Sequence, residues 1–329
     1  MEFTSEIKKA TSSIYNKVSK KIPEIEWATH APYIYKNNKL NKEKNAVILA
    51  HNYQTPEIYH GISDFSADSL ALAVEAAKTK ADIIVMCGVH FMAETAKLMS
   101  PEKKVLLPDM KAGCSLSSSI TGNDVRNLKK QYPGVPVVSY VNTSADVKAE
   151  TDVCCTSANA VKIVESLGVK KVIFLPDDFL AKYVASQTDI EIISWKGTCE
   201  VHEQFNDQEI NDIRKANPGI KIIAHPECPP DVIQASDFAG STSGMIKYVR
   251  DNQPEKVMMV TECSMSDNVQ IDNPNVEFIR PCNLCPHMKR ITLPKILDCL
   301  ENETNELIMD NETIQKARKS VERMAEIGR

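Results

Sequence analysis

Three cysteines recur at a nearly constant interval along the chain. Cys114, Cys199 and Cys285 follow one another at a spacing of about 85 residues, which is the size of a structural repeat. Each lies in a polar segment that follows a short strand-like run, so each thiol is predicted near the end of a strand. Three thiolates suit either an iron–sulfur cluster normally held by four cysteines or a zinc ion with water as its fourth ligand. The spacing therefore predicts a metal centre and leaves the cluster and zinc as alternatives.

Cys285 also belongs to a Cys-x-x-Cys pair with Cys282. Such a pair is typical of half a zinc site or of a redox couple, but no second Cys-x-x-Cys or His-x-x-x-His completes four ligands. The missing ligands must come from elsewhere in the chain.

Other landmarks keep the same period. Apolar runs end in His51, Tyr140 and His225, which are separated by nearly the same interval as the cysteines. Hydroxyl clusters that open helical patterns follow each of them, and a second apolar run precedes each cysteine. Nearly continuous apolar runs are typical of parallel strands covered on both faces. The pattern predicts an α/β fold of three pseudo-equivalent three-layer α/β/α units around a pseudo-threefold axis.

The repeat also sets the expected domain boundaries. Residues 1–43 are interpreted as an amino-terminal helix followed by a polar linker. We expect the first α/β unit over residues 44–130, the second over 131–216, and the third, with carboxy-terminal helices, over 217–329.

Composition excludes several classes of function. The net charge is −5, without a basic stripe that would favour nucleic acid. No run of about 18 apolar residues and no signal-peptide core is present, which argues against membrane insertion and export. Ten cysteines in a chain without an export signal favour thiols or metal ligation over structural disulfides. The sequence thus predicts a cytoplasmic protein that acts on small molecules.

Familiar nucleotide and hydrolase motifs are absent. Gly240-Ser-Thr-Ser-Gly244 has threonine where a nucleophile elbow needs serine. No Gly-x-Gly-x-x-Gly and no phosphate-binding Gly-Lys-Ser/Thr loop occurs. A nucleotide cofactor is therefore not expected.

Acid–base and polar side chains accompany the repeat. His51 and Tyr53, Tyr140 and Asn142, and His225 and Glu227 occupy matching places, and the prolines around Glu227 fix its loop. Ser69, Ser157, Ser241 and Thr242 lie at predicted helix starts, where anions bind. The set predicts a site for small substrates that carry carboxylates or phosphate.

Taken together, the motifs resemble those of the quinolinate synthase family, over about residues 46–300 and in the same order. The resemblance rests on Ala50-His-Asn-Tyr-Gln54, Gly88-Val-His-Phe-Met-Ala-Glu-Thr-Ala-Lys97, Ala112-Gly-Cys-Ser115, Tyr140-Val-Asn-Thr-Ser-Ala145, Cys155-Thr-Ser-Ala-Asn-Ala160, His225-Pro-Glu227, Gly240-Ser-Thr-Ser243 and Cys285-Pro-His-Met-Lys289. It implies condensation of iminoaspartate with dihydroxyacetone phosphate to quinolinate, with loss of phosphate and water, in NAD biosynthesis. An L-aspartate oxidase or dehydrogenase would supply the iminoaspartate.

The resemblance also implies residue roles. Cys114, Cys199 and Cys285 would ligate a [4Fe-4S] cluster with one open iron that acts as a Lewis acid. Tyr53 and Glu227 would transfer protons, with His51 and His225 beside them. The implied substrate-binding residues are His51, Ser69, Tyr140, Asn142, Ser157, His202, His225, Glu227, Ser241 and Thr242.

One departure from the family pattern affects the cysteines. Some members carry an extra cysteine three residues before the Cys-x-x-Cys pair, and Ile279 stands at that place here. A disulfide between Cys282 and an upstream cysteine is therefore not expected. An iron–sulfur hydro-lyase and a cluster-based redox sensor are the alternative functions.

Overall fold

The computed structural model describes residues 1–280 and 283–328. Cys282, half of the Cys-x-x-Cys pair, lies outside the described residues. The chain forms two compact units. Unit 1 comprises Met1–Ala112, Cys263–Pro274 and Leu284–Leu307; unit 2 comprises Gly113–Glu262, Asn275–Asn283 and Ile308–Arg329.

Three four-stranded parallel sheets form the framework. Unit 1 contains β1 (Ala46–His51), β2 (Phe65–Ala67), β3 (Ile83–Cys87) and β4 (Lys104–Leu106). Unit 2 contains β5 (Val137–Tyr140), β6 (Val153–Cys155), β7 (Lys171–Leu175) and β8 (Glu191–Ser194), and then β9 (Lys221–Ala224), β10 (Phe238–Ala239), β11 (Lys256–Val260) and β12 (Glu277–Ile279). The strand orders are β2-β1-β3-β4, β6-β5-β7-β8 and β10-β9-β11-β12. Each sheet thus repeats one order, with the first and third strands of the repeat at its centre.

Sixteen α-helices lie in the described ranges. They are α1 (Ser5–Val18), α2 (Glu24–Glu43), α3 (Pro56–Tyr59), α4 (Ser69–Lys78), α5 (His90–Met99), α6 (Ser115–Ser118), α7 (Gly122–Gln131), α8 (Ala145–Ala149), α9 (Ala160–Ser166), α10 (Asp178–Ala185), α11 (Asp207–Ala216), α12 (Pro230–Ala235), α13 (Thr242–Asn252), α14 (Cys263–Asp272), α15 (Leu293–Asn302) and α16 (Asn311–Ile327). Short 3-10 helices span His202–Gln204 and Met288–Arg290.

An aspartate before the second strand marks the same point in every repeat. The carboxylates of Asp64, Asp152 and Asp237 accept hydrogen bonds from the backbone N–H groups of Ile48, Val137 and Ile222, at 2.8, 2.7 and 2.8 Å. In return, the backbone N–H of each aspartate donates to the carbonyl of its partner residue, which is Ile48, Val137 or Ile222. This reciprocal pair fixes the register of the second strand on the first in all three sheets.

The fold class is confirmed in these sheets: the chain is α/β, and its three sheets have equivalent strand order. The central strands are buried as the apolar runs predicted; Ile83–Cys87 is buried throughout. The domain boundaries and the pseudo-threefold axis stay predictions.

The expected linker before residue 43 was wrong. Residues 24–43 form the helix α2, which buries Trp27, Ile34, Asn37 and Asn41. Asn37 Nδ2 donates to the Leu293 carbonyl at 3.3 Å, and Asn41 Nδ2 donates to Asp64 at 2.8 Å. Polar residues therefore occupy part of the buried face of this helix, and a search for an apolar stripe misses it.

Candidate active site

The polar residues that end the first strand of each repeat lie where the sequence placed them. His51 and Tyr140 end β1 and β5, and His225 follows β9 directly. In two repeats the next turn is the same: the N–H of Tyr53 donates to His51 Nδ1 at 3.2 Å, and the N–H of Glu227 donates to His225 Nδ1 at 3.4 Å. The turn therefore presents its side chains at the carboxyl ends of parallel strands, which is the edge of a sheet where ligands usually bind.

Glu227 is the centre of a buried network in unit 2. The residue is 3% exposed, and its Oε1 accepts a hydrogen bond from the Tyr140 hydroxyl. Its Oε2 lies 2.9 Å from His202 Nδ1, and Oε1 lies 3.8 Å from His225 Nδ1. Three residues that were predicted to bind substrate or move protons are thus gathered around the Glu227 carboxylate.

The two histidines of this network stack on each other. The rings of His202 and His225 have centroids 4.8 Å apart and planes 25° apart. His202 Nε2 is 2.9 Å from Thr261 Oγ1, and His225 Nε2 is 3.2 Å from Ser157 Oγ. Each imidazole is therefore held by a hydroxyl on the side away from Glu227.

Opposing influences set the protonation of Glu227. Burial raises the pKa of its carboxyl, whereas the imidazoles of His225 and His202 and the Tyr140 hydroxyl lower it, and the net direction is downward. The side chain is consequently a carboxylate, which can accept a proton from a bound molecule.

Cys199 connects this network to a second thiol. Its Sγ is 3.1 Å from His202 Nδ1, and the donor atoms of Cys199, His202 and Glu227 all lie within 4.8 Å of one another. Burial raises the pKa of the Cys199 thiol, and the charges of Glu227 and Cys114 raise it further. A cation bound to the thiols would reverse this penalty, so the donor set fits a metal centre.

A serine holds the Cys199 loop against the Cys114 segment. Ser115 Oγ donates to the Thr198 carbonyl at 3.0 Å and accepts from the Glu200 N–H at 3.1 Å. These two backbone groups flank Cys199 on either side. The loop is also packed closely at Gly197, where an added Cβ would lie 2.5 Å from the Pro176 carbonyl oxygen. The segments that carry two of the three predicted metal ligands, Cys114 and Cys199, are therefore joined by hydrogen bonds that need no metal.

In unit 1, the third predicted ligand lies on a segment that supports Tyr53. The Lys289 N–H donates to the Cys285 carbonyl at 3.1 Å, and Lys289 Nζ donates to the Tyr53 carbonyl at 2.7 Å. Asn268 Nδ2 holds the same loop through the carbonyls of Asn52 and Gln54, at 3.2 and 2.7 Å. The rings of His51 and Tyr53 meet edge to face with centroids 4.7 Å apart.

The predicted hydroxyl residues lie at helix starts or just before them. Ser69 is the first residue of α4, which Asp68 caps by accepting the Ala71 N–H at 2.9 Å. Ser241 caps α13 by accepting the Gly244 N–H at 3.2 Å, and Thr242 begins that helix. Ser157 precedes α9 and instead contacts His225. The helix-start prediction is confirmed for Ser69, Ser241 and Thr242, while their substrate contacts stay predictions.

A buried lysine shapes the loop that carries Asn142. Lys148 is fully buried, and its Nζ donates to the Val141 carbonyl at 2.8 Å and to the Thr143 carbonyl. Asn142 Oδ1 is buried and accepts no hydrogen bond from the described part of unit 2. The loop thus holds the Asn142 amide oxygen between two backbone carbonyls, of Val141 and Thr143, that Lys148 fixes in position.

Sequence reasoning missed Thr261, Lys148 and Asp177. Asp177 is fully buried; its Oδ1 caps α10 through the N–H groups of Phe179 and Leu180, at 2.8 and 2.9 Å. Burial and the charge of Glu227 raise the pKa of the Asp177 carboxyl well above its ordinary value, so this aspartate is harder to ionise than an exposed one. An aspartate before a helix looks like any cap in sequence, and only burial distinguishes this one.

The strand-end carboxylate, its imidazoles and the adjoining thiols define an α/β enzyme with an acid–base centre and a metal-ligand set. None of the helices in residues 1–280 and 283–328 is long and apolar enough to cross a membrane.

Comparison with known proteins identifies the enzyme family to which this chain is similar. The family model described as Quinolinate synthetase A protein matches residues 36–326. The chain is 60% identical over 327 residues to a quinolinate synthase of Sinorhizobium fredii (strain NBRC 101917 / NGR234), covering 99% of this chain and 91% of that one. It is 57% identical over 329 residues to that of Caulobacter vibrioides (strain NA1000 / CB15N), with 99% and 90% covered. Over 289 residues it is 58% identical to that of Xylella fastidiosa (strain 9a5c), with 88% and 85% covered.

The chain belongs to the quinolinate synthetase A family, whose members act in NAD biosynthesis, and it is an enzyme. The resemblance seen in the sequence motifs is confirmed across nearly the whole chain.

Proposed function

We propose that this enzyme condenses iminoaspartate with dihydroxyacetone phosphate to quinolinate. Its relatives are named quinolinate synthases, and the two substrates are those that the resemblance of its motifs implies. The single observation that carries the proposal is the buried Glu227 carboxylate, contacted by Tyr140 and His202 and adjoining the Cys199 thiol. Atoms balance when phosphate and two water molecules leave. No oxidant or reductant is then needed, and the chemistry consists of carbon–carbon and imine bond formation with proton transfers.

Glu227 is the base of this scheme. As a carboxylate it takes a proton from carbon or nitrogen of the bound substrate, and His202 Nδ1 at 2.9 Å stabilises its charged form. Tyr140, which donates to the same carboxylate, orients it. His225, between Glu227 and Ser157, passes a proton between the carboxylate side and the substrate hydroxyls.

Tyr53 is the acid. A phenol can return a proton to a departing hydroxyl. Lys289 Nζ donates to the backbone carbonyl of Tyr53, so this hydrogen bond holds the Tyr53 backbone in place and does not involve the phenol hydroxyl. His51, in edge contact with the Tyr53 ring, limits its rotation and binds substrate. Ser69, Ser241 and Thr242 bind the anionic groups of the two substrates at helix starts, with Asn142 as a neutral acceptor.

Cys114, Cys199 and Cys285 are the proposed ligands of a [4Fe-4S] cluster. When bound, such a cluster with one open iron supplies a Lewis acid for a hydroxyl or carboxylate oxygen of the substrate. No disulfide joins any two of the nine cysteines described, which is the oxidation state that ligation by thiolates requires. The transferase class EC 2.5.1 and an iminoaspartate-producing L-aspartate oxidase or dehydrogenase as partner belong to the same proposal.

Ser115→Ala is expected to weaken cluster retention. The change removes the hydroxyl that binds backbone groups on both sides of Cys199, at roughly 0.5–1.5 kcal/mol per bond. Iron and sulfide contents after anaerobic gel filtration should fall about tenfold relative to the parent. Ser115→Thr, which keeps the hydroxyl, is the matched control. If Ser115→Ala and Ser115→Thr retain the cluster equally well, the Ser115 hydroxyl does not help to hold the cluster.

Lys148→Met is expected to raise KM more than it lowers kcat. Without the ammonium, the carbonyls that flank Asn142 lose their donor, and the Asn142 amide no longer stays in place. Asn142→Ala should reproduce a KM rise of about tenfold without the loss of thermal stability. If Lys148→Met lowers the melting temperature but leaves KM at the parental value, Lys148 only stabilises the fold.

The direct test is anaerobic incubation of the iron-loaded enzyme with dihydroxyacetone phosphate and freshly generated iminoaspartate. Quinolinate should accumulate, and omission of either substrate should abolish it. A hydro-lyase or a redox sensor would form no quinolinate under these conditions. The sensor alternative is disfavoured by the Glu227 network, because a sensor needs no buried acid–base centre.

A further inference from the structure

Three different metal-ligand types meet within unit 2. Cys199 Sγ, His202 Nδ1 and a Glu227 carboxylate oxygen all lie within 4.8 Å of one another. The individual separations are 3.1 Å from Sγ to Nδ1 and 2.9 Å from Nδ1 to Oε2. His202 and Glu227 are buried, and Cys199 is half-buried. These atoms form one small polar site that includes only one of the three proposed cluster ligands.

We propose that the cluster-free enzyme binds a single divalent transition-metal ion, of which Zn²⁺ is the reference case, at Cys199, His202 and Glu227, and that this ion blocks cluster assembly. The inference goes beyond the proposed function, because it concerns the state of the protein before the cluster is inserted. It also differs from a zinc site made of three cysteines, since neither Cys114 nor Cys285 is among the ligands.

The distances suit zinc after a small expansion. Zinc bonds of about 2.3 Å to sulfur and 2.0–2.2 Å to nitrogen and oxygen place tetrahedral ligand atoms roughly 3.3–3.6 Å apart. The observed Sγ–Nδ1 and Nδ1–Oε2 separations are a few tenths of an ångström shorter, as hydrogen bonds are. Small movements at these two contacts, with Cys199 Sγ and the Glu227 oxygen within 4.8 Å of each other, would admit the ion, and a water molecule would complete four ligands.

Charge favours the ion as well. The Cys199 thiolate and the Glu227 carboxylate together carry two negative charges, so Zn²⁺ makes the buried site neutral. Binding releases the thiol proton to solvent. In that state both negative groups face the cation.

Each buried ligand already has an outer partner. Thr261 Oγ1, 2.9 Å from His202 Nε2, can either donate or accept, so the imidazole can change tautomer, carry its proton on Nε2 and turn the Nδ1 lone pair to the metal. The Tyr140 hydroxyl binds Glu227 Oε1 and leaves Oε2 for the ion. Such outer hydrogen bonds orient ligands in established metal sites, and their loss typically costs 10–100-fold in affinity.

The test is a zinc titration of the full-length, chelator-treated, cluster-free protein, under anaerobic and reducing conditions, against a chromophoric chelator. We expect one tight zinc per chain. Cys199→Ser and His202→Asn should each lower the affinity roughly a hundredfold or more, and Thr261→Val about 10–100-fold. Cys114→Ser, the matched control, should change it by less than about threefold. Co²⁺ in place of zinc should give the absorption of a tetrahedral site with a thiolate ligand.

The order of addition tests the consequence. Zinc added before iron and sulfide should lower cluster assembly, whereas zinc added to the assembled enzyme should leave its cluster absorbance unchanged. A protein that binds no stoichiometric zinc, or whose Cys114→Ser variant loses zinc as fully as Cys199→Ser, would overturn the proposal. The titration uses no substrate, so its outcome is independent of whether the enzyme makes quinolinate.

Discussion

Glu227→Gln is expected to lower quinolinate formation by ~10²–10⁴ while leaving iron and sulfide contents at the parental level. The amide keeps the shape of the side chain and can still bond to Tyr140 and His202, but it cannot accept a proton from the substrate. Glu227 is buried and ionised, with its carboxylate stabilised by two imidazoles and a phenol. The measurement is the initial rate of anaerobic quinolinate formation, normalised to iron content.

Tyr53→Phe is the companion variant, because the phenol is the proposed acid. Lys289 bonds to the Tyr53 carbonyl, so the loop should stay in place when the hydroxyl is removed. Tyr59→Phe is a matched control in the same unit; its carbonyl also accepts a hydrogen bond, from Ser63 at 2.6 Å. A Glu227→Gln enzyme with an intact cluster and a near-parental rate would reduce Glu227 to a structural brace.

Replacing any proposed cluster ligand should have the second large effect. Cys114→Ser, Cys199→Ser and Cys285→Ser should each reduce iron and sulfide from about four of each per chain to well under one, with activity falling to background. The reason is that two thiolates cannot hold a cluster that already lacks its fourth protein ligand. Iron and sulfide analysis together with visible absorbance of anaerobically purified protein measures the effect.

Cys228→Ala is the control for these three variants. Cys228 follows Glu227 directly, yet its side chain is buried in an apolar cluster with Ile222, Val232 and Val260. Its removal should cost stability only, by roughly 1–2 kcal/mol, with the iron content retained. Loss of the cluster from Cys228→Ala, or its retention in Cys114→Ser, would contradict the ligand assignment.

Much of the fold was predictable because each repeat contains apolar runs and helix-start residues that can be recognised over a few neighbouring positions. The strands that lead to His51, Tyr140 and His225 could be recognised from apolar runs alone, and the helix that begins at Ser69 from its Asp68 cap. Asp64, Asp152 and Asp237 keep the same period as the cysteines and could have been found by the same comparison. Their role needed the structure, since it lies in hydrogen bonds to the backbone of another strand.

The rest depended on contacts between distant parts of the chain. Helix α2 was missed because its buried Asn37 and Asn41 gain partners that are far away in the sequence, which no local pattern reveals. Thr261 supports His202 from 59 positions further along the chain. Motif comparison indicated Glu227 and His202 separately, and their 2.9 Å contact comes from tertiary structure. The contact between His202 and the Cys199 thiol is local, because the two residues lie three positions apart.

The stoichiometry of the anaerobic reaction tests the central proposal most directly. Iron-loaded enzyme is supplied with dihydroxyacetone phosphate and freshly generated iminoaspartate, and quinolinate and inorganic phosphate are measured together over time. We expect the two products to appear in equal amounts, at a rate proportional to enzyme and dependent on both substrates. Phosphate release without quinolinate, or formation of neither product above the enzyme-free reaction, would contradict the assignment of this chain as a quinolinate-forming condensing enzyme.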